Sequence, residues 1–184
     1  MVLALPVVLA VGFGLALGGS LGQLAEIRLR AAWLFLAAIT LQVIAFPVSG
    51  MPWRTPETLA SVLWVASYGL LVIAALLNRR ITGVPVVAVG MCLNLTAILA
   101  NGGTMPVGYE AMHAAGRVSE THANSTAMSE PNLPWLVDRW AAPDWLPLAN
   151  VFSVGDVVIA FGAFVIVLAG MGVRVRRDVP AIDQ

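Results

Sequence analysis

Five long apolar segments limit what this chain can fold into. A helix that crosses a bilayer needs about 20 apolar residues, and residues 2–21, 31–48, 59–77, 81–100 and 151–173 reach or approach that length. Only 11% of the 184 residues are charged and 59% are hydrophobic, whereas an average soluble domain has about 25% charged residues. This composition disfavours a soluble enzyme and excludes a disordered chain.

The segments predict a membrane protein. Because lipid offers no hydrogen-bond partners to the backbone, spanning segments form helices. We therefore predict an all-α fold, a single polytopic bundle of five transmembrane helices over residues 1–173, followed by a tail over residues 174–184. The first segment has no basic residue ahead of its apolar run, so we interpret it as a retained helix rather than a signal peptide.

Arginines predict the orientation of this bundle. Positively charged residues accumulate in the cytoplasmic loops of membrane proteins. One side of the bundle receives Arg28, Arg30, Arg79, Arg80, Arg174, Arg176 and Arg177, and the other side receives Arg54, Arg117 and Arg139. The N-terminus is therefore expected outside and the C-terminus in the cytoplasm, with the lipid bilayer as the main partner.

The long outer loop, residues 101–150, has two parts. Its middle, residues 108–130, is polar, while its end places tryptophans such as Trp135 and Trp140 beside charged residues. This pattern predicts a segment in the headgroup region, or an ordinary aromatic belt.

Four side chains in the polar part, Glu110, His113, Glu120 and His122, include a Glu-x-x-His spacing. We expect a solvated loop and no metal, because the rest of a metal-binding motif is missing. No other cofactor is predicted. The balance of ten basic and ten acidic residues gives no reason to expect nucleic acid.

Polar residues within the apolar segments are the candidate functional groups, since they are costly in lipid. Gln42 and Asn94 lie at similar depth, about 18 and 21 Å from the cytoplasmic edge at 1.5 Å per residue. They could hydrogen-bond to each other as a clamp between helices. Alternatively, they form the floor of a polar pocket that opens to the outside.

Two short stretches would form the rim of that pocket. In residues 101–107, Asn-Gly-Gly followed by Pro106 predicts the end of the fourth helix at Asn101. Ser153 and Asp156 match a capping box at the start of the fifth helix, and Asp156 could instead face the pocket. The predicted ligand-binding set is Gln42, Asn94, Asn101, Gly102, Gly103, Met105, Pro106, Ser153 and Asp156.

These two stretches, Asn-Gly-Gly-Thr-Met-Pro-Val at 101–107 and Pro-Leu-Ala-Asn-Val-Phe-Ser-Val-Gly-Asp at 147–156, carry a resemblance. The sequence resembles a family of small bacterial integral membrane proteins with about five spans, classed as a domain of unknown function. The resemblance implies a multi-pass protein of the bacterial cytoplasmic (plasma) membrane and no known activity.

Three functional hypotheses follow. The first is a non-catalytic accessory or binding subunit, which packs against a membrane-protein partner or a second copy of itself, or binds a lipid-like molecule in the outer pocket. The second is a small transporter or channel component that uses Gln42, Asn94, Asn101 and Asp156. The third is an intramembrane enzyme with Asp156 or the histidines as acid or base, although the sequence contains no catalytic signature that favours it.

Overall fold

The structure, a computed structural model, describes residues 4–47, 51–108, 110–111, 121–122, 125–142 and 151–173. The chain is mostly helical, as predicted. The helices are α1 (Ala4–Ala16), α2 (Leu21–Ala25), α3 (Trp33–Ala45), α4 (Glu57–Leu77), α5 (Val84–Ala100) and α6 (Val154–Gly170). The all-α prediction omitted short strands between α5 and α6: β1 (Met105–Val107), β2 (Thr121–His122), β3 (Ser125–Ala127), β4 (Trp140–Ala141) and β5 (Val151–Phe152).

The helices are shorter than most of the predicted spans. Span 2–21 contains the 13-residue α1 and ends where the 5-residue α2 begins at Leu21. Between the two helices, Gly18 lies at φ +80°, a conformation that ends a helix at little cost in glycine. Span 31–48 contains the 13-residue α3, which ends before Pro47. α5 begins only after the left-handed Gly83, and α6 begins at Val154 because residues 151–152 form β5.

Of the helices in the described part of the chain, α4 alone is long and apolar enough to cross a membrane, with 21 residues and a mean hydropathy of 2.2. At 1.5 Å per residue it is about 31 Å long, close to the thickness of a bilayer core. α1, α3, α5 and α6 are shorter apolar helices of 13 to 17 residues. Only 28% of the most apolar window of α4 is buried within the protein.

The five longer helices alternate in direction. α3 and α4 are antiparallel, since Gln42 in the last turn of α3 contacts Ser67 near the middle of α4, and Arg30, ahead of α3, contacts Asn78 at the end of α4. α5 and α6 are also antiparallel and pack closely, and α1 packs along α6. In space, neighbouring helices follow the order α1, α6, α5, α4, α3.

This alternation gives the bundle two distinct ends. The arginine end carries Arg28, Arg30, Arg79 and Arg80, between α2 and α3 and between α4 and α5. The loop end carries residues 101–108, 125–142 and 151–153. Its β1 pairs in parallel with β3, which pairs antiparallel with β2, while β4 pairs antiparallel with β5. The Asp138 amide donates to the Pro106 carbonyl over 3.0 Å and so connects β1 to the segment before β4.

Candidate functional site

A hydrogen-bonded cluster joins α5 to the start of α6. Asn94 Nδ2 donates to Asp156 Oδ1 over 2.9 Å, and Asn94 Oδ1 lies 2.9 Å from the Ser153 hydroxyl. The backbone amide of Ser153 donates to Asp156 Oδ2 over 3.0 Å, and the amide of Asp156 donates to Ser153 Oγ over 3.1 Å. Asn94 and Ser153 are buried and Asp156 is half-buried. We name these three residues the Asn94 cluster.

The Asn94 cluster contains the capping box that the spacing of Ser153 and Asp156 predicts. The two amides satisfied by this box belong to the unpaired donors at a helix start. The negative charge of Asp156 also lies in the first turn of α6, where the helix dipole stabilises it. Both carboxylate oxygens therefore have protein donors, and the arrangement fixes the entry of the chain into α6.

Close approach of the two helices makes the cluster possible. A Cβ atom on Gly155 would lie 1.9 Å from Asn94 Oδ1, and one on Gly90 would lie 2.6 Å from the Gly155 carbonyl oxygen. Only glycine fits at such distances. These contacts bring the Asn94 amide on α5 within reach of Asp156 on α6.

Tyr68 of α4 extends the cluster to a third helix. Its half-buried side chain lies close to the Asn94 side chain and to the charge of Asp156. Tyr68 is not among the predicted ligand-binding residues, and no sequence signal marks its position beside Asn94 and Asp156.

Gln42 belongs to a separate pair. Its Nε2 donates to Ser67 Oγ on α4 over 3.2 Å, and Ser67 Oγ donates to the Trp64 carbonyl oxygen over 2.7 Å. The hydrogen bond between Gln42 and Asn94 that their depth allowed is therefore not made. The residues lie at suitable heights, but Gln42 pairs with α4 and Asn94 pairs with α6.

Asn101 ends α5, as predicted, and also fastens the loop end to the helix. Its Nδ2 donates to the Ala97 carbonyl over 2.8 Å and to the Asn132 carbonyl over 3.0 Å, and its Oδ1 accepts from the Asn132 amide over 2.8 Å. Gly102 and Gly103, at φ +72° and +89°, turn the chain out of the helix. We name Asn101 and Asn132 the outer clamp.

Met105 and Pro106, which the sequence assigned to the rim of a pocket, are buried. Met105 packs in a core with Trp64, Ala97 and Ile98. The Trp64 ring makes edge contacts with Phe46 and Tyr68, at centroid distances of 5.3 and 5.0 Å. Its indole nitrogen is a buried side-chain atom without a hydrogen-bond partner in the described structure. A ligand-binding role for these rim residues stays a prediction.

A second clamp of the same geometry lies at the arginine end, and we did not predict it. Asn78 caps the C-terminus of α4. Its Nδ2 donates to the Ala74 carbonyl over 2.8 Å and to the Arg30 carbonyl over 2.9 Å, and its Oδ1 accepts from the Arg30 amide over 2.7 Å. An asparagine directly after an apolar helix could have indicated a helix cap, but the sequence does not show that it bonds to Arg30, which lies 48 residues away. We name Asn78 and Arg30 the inner clamp.

An apolar cavity of about 260 Å³ opens between α3, α4, α5 and α6 next to the inner clamp. Its lining includes Ile27, Leu29, Phe35, Leu71, Met91 and Ile166. Asn78 also lines the cavity, but its side-chain amide is already hydrogen-bonded to the Arg30 backbone and to the Ala74 carbonyl. This cavity was not predicted from the sequence, because its lining comes from four stretches of the chain, residues 27–35, 71–78, 81–91 and 166.

The four side chains of the Glu-x-x-His stretch, for which we predicted no metal, are only partly described. Glu110 is exposed, His113 and Glu120 lie outside the described residues, and only the backbone of His122 is described. Within the described ranges, no group of three or more His, Cys, Asp or Glu side chains could hold a metal ion. In the tryptophan-rich segment, Trp135 and Trp140 are exposed, and the Arg139 guanidinium lies 5.4 Å from the centre of the Trp140 ring.

Comparison with known proteins places the chain in a family. No curated protein and no solved structure matches it. A model of the family of unknown function DUF5317 matches residues 26–168, which include α3 to α5 and both clamps, the Asn94 cluster and most of α6. The chain therefore belongs to the DUF5317 family of unknown function.

Proposed function

We propose that the chain is a multi-pass protein of the bacterial cytoplasmic membrane, in which α1, α3, α4, α5 and α6 cross the bilayer. Large apolar side chains point outward from every one of these helices. Examples that are 56 to 68% exposed are Val8, Leu36, Val62, Val89 and Phe161. A soluble monomer rarely exposes contiguous apolar patches larger than a few hundred Å². This exposed apolar surface is the observation that carries the membrane assignment.

The two ends of the bundle support the proposed orientation. The arginine end groups Arg28, Arg30, Arg79 and Arg80, whereas the described loop end carries Arg54 and Arg139. By the positive-inside rule, the arginine end faces the cytoplasm. The outer clamp, the Asn94 cluster and the short strands then lie toward the outside.

The short helices are compatible with this placement. The 17-residue α5 and α6 are about 25 Å long, at the lower limit for a spanning helix. A bilayer adapts to short hydrophobic stretches by local thinning, and flanking residues extend toward the interface. The 13-residue α3 adjoins loop segments that complete the crossing.

We propose a non-catalytic accessory or binding role for this bundle. The polar groups in its outer half are used to hold the protein together: the Asn94 cluster joins α5 to α6, Gln42 joins α3 to α4 through Ser67, and Asn101 fastens Asn132. A catalytic acid or base must reach its substrate within hydrogen-bond distance. Here both oxygens of Asp156 already accept from protein donors.

Transport is the second hypothesis, and the geometry favours it less. A polar path through Gln42, Asn94, Asn101 and Asp156 requires these side chains to follow one another. They instead belong to three separate hydrogen-bonded groups on different helix pairs. Such a path would also have to continue past the apolar cavity at the arginine end.

Two experiments test the proposed role: purification in a mild detergent, and reconstitution into vesicles with an acidic interior, whose proton permeability is measured. We expect the full chain to resist extraction from membranes by alkaline carbonate, to co-purify with a partner or second copy, and to give vesicles with the proton permeability of empty ones. An increase in flux that Asp156→Asn removes while the protein stays folded would establish transport instead. Release by carbonate would contradict the membrane assignment itself.

A further inference from the structure

The apolar cavity at the arginine end has the character of a hydrocarbon-binding site. Its volume is about 260 Å³, and it is formed by aliphatic, methionine and phenylalanine side chains together with the fully hydrogen-bonded Asn78. Apolar cavities of about 150 Å³ already stay free of water and accept apolar molecules. The chemistry of this cavity therefore selects an alkyl chain and offers nothing to a polar ligand.

Basic residues surround the end of this cavity. Ile27 and Leu29 line it and alternate with Arg28 and Arg30, while Asn78 and Ile81 line it on either side of Arg79 and Arg80. The inner clamp joins these two segments, because Asn78 holds the backbone of Arg30. Two arginine pairs that are about 50 residues apart in sequence thus share one end of the bundle.

The four arginines are available to a ligand. All are exposed, and no carboxylate of the described residues forms an ion pair with them. Glu26 is the acidic residue closest to them in sequence. Guanidinium groups bind phosphate through paired hydrogen bonds, and basic pockets between helices on the cytoplasmic side bind anionic lipid headgroups.

We propose that the cavity and these arginines form a binding site for one anionic phospholipid, with an acyl chain in the cavity and the phosphate at Arg28, Arg30, Arg79 and Arg80. The proposal rests on the membrane location and orientation proposed above. An apolar cavity with a basic cluster at its end, in which no arginine is ion-paired to a described carboxylate, fits an amphiphile with an anionic head. A zwitterionic lipid supplies the chain but not the net charge.

Native mass spectrometry of the full chain in mild detergent tests the site, with phosphatidylglycerol and phosphatidylcholine of identical acyl chains as probes. We expect one molecule of phosphatidylglycerol to bind tightly and phosphatidylcholine to bind with lower affinity. The double variant Arg79→Gln/Arg80→Gln should bind phosphatidylglycerol about 25-fold more weakly, because each arginine near an anionic headgroup contributes about fivefold. The matched control Arg54→Gln/Arg139→Gln, at the loop end, should retain the affinity.

A third variant tests the cavity separately. Leu71→Trp adds volume inside the lining and should weaken binding of both lipids while leaving the preference for phosphatidylglycerol. Inorganic phosphate at millimolar concentration should not displace the lipid. Displacement by phosphate, or unchanged lipid binding in a folded Leu71→Trp protein, would show that the cavity does not hold the chain and would overturn the proposal.

The outcomes separate this inference from the proposed function. Equal binding of the two lipids by a protein that resists carbonate extraction overturns the lipid site and leaves the membrane assignment intact. Release of the chain by carbonate would contradict both the lipid site and the membrane assignment. Loss of binding in the loop-end control as well as in Arg79→Gln/Arg80→Gln would also overturn the assigned site.

Discussion

Asn94 of α5 donates to the carboxylate of Asp156 at the start of α6 over 2.9 Å, and the same side chain lies 2.9 Å from the Ser153 hydroxyl. One amide thus supports both residues of a capping box on a neighbouring helix. This relationship makes Asn94 the main polar link between the two most extensively packed helices of the bundle.

Asn94→Leu should destabilise the protein by about 1–3 kcal/mol, because it removes the side-chain donor to Asp156 Oδ1 and the Asn94 contact of the buried Ser153 hydroxyl. Thr96→Val is the matched control, since Thr96 is exposed and bonds only to the Cys92 carbonyl of its own helix. Unfolding by SDS in mixed micelles, followed by circular dichroism, measures both. Equal stability of Asn94→Leu and the parent chain would contradict the assigned link.

Gly155→Ala should separate α5 from α6, since the added Cβ would lie 1.9 Å from Asn94 Oδ1. We expect a lower unfolding midpoint in SDS than for the parent chain. Gly69→Ala is the control, because a Cβ there meets nothing within 4 Å and alanine is favoured over glycine in a helix by about 0.5–1 kcal/mol. If both substitutions act alike, the close helix contact is not needed.

Because the outer and inner clamps fasten different loops, we expect loss of each clamp to speed proteolysis only in its own loop. Asn101→Ala should release the segment that Asn132 anchors and speed trypsin cleavage after Arg139. Asn78→Ala should instead speed cleavage after Arg28 and Arg30. Mass spectrometry of limited digests of detergent-solubilised protein identifies the sites. Identical digestion patterns for the two variants would show that neither asparagine fastens its loop locally.

Because Gln42 and Asn94 belong to separate hydrogen-bonded groups, we expect substitutions at the two positions to have additive effects on the free energy of unfolding. Gln42→Leu and Asn94→Leu share no hydrogen-bond partner, so their combined effect on SDS unfolding should equal the sum within about 0.5 kcal/mol. Asn94→Leu and Ser153→Ala remove the same contact, so their combination should cost less than the sum. Strong coupling between Gln42 and Asn94 would instead support the single outer pocket that their depth suggested.

Local sequence signals predicted some features of this structure well. The three-residue spacing of Ser153 and Asp156 identifies a capping box, and Asn101 followed by two glycines identifies a helix end. Both features depend on residues within one turn of each other, so the chain itself brings the partners together.

Contacts between distant segments could not be predicted in the same way. The position of Gln42 along its helix gives its depth, but its partner depends on how α3 and α4 are rotated about their axes. The bonds of Asn101 to Asn132 and of Asn78 to Arg30 follow from loop docking, which sequence spacing does not encode. The short strands are set by pairings such as Met105 with Ser125 rather than by local β propensity.

The reactivity of Cys92 tests the central claim that lipid surrounds these helices. Cys92 lies near the middle of α5 and is exposed on the protein surface, and no other cysteine occurs in the chain. In opened membranes, a charged maleimide should leave Cys92 unlabelled, because the reagent does not enter hydrocarbon. It should label Arg80→Cys in a Cys92→Ala background, at the aqueous arginine end. Rapid labelling of Cys92 in folded, membrane-associated protein would show that water, rather than lipid, covers α5.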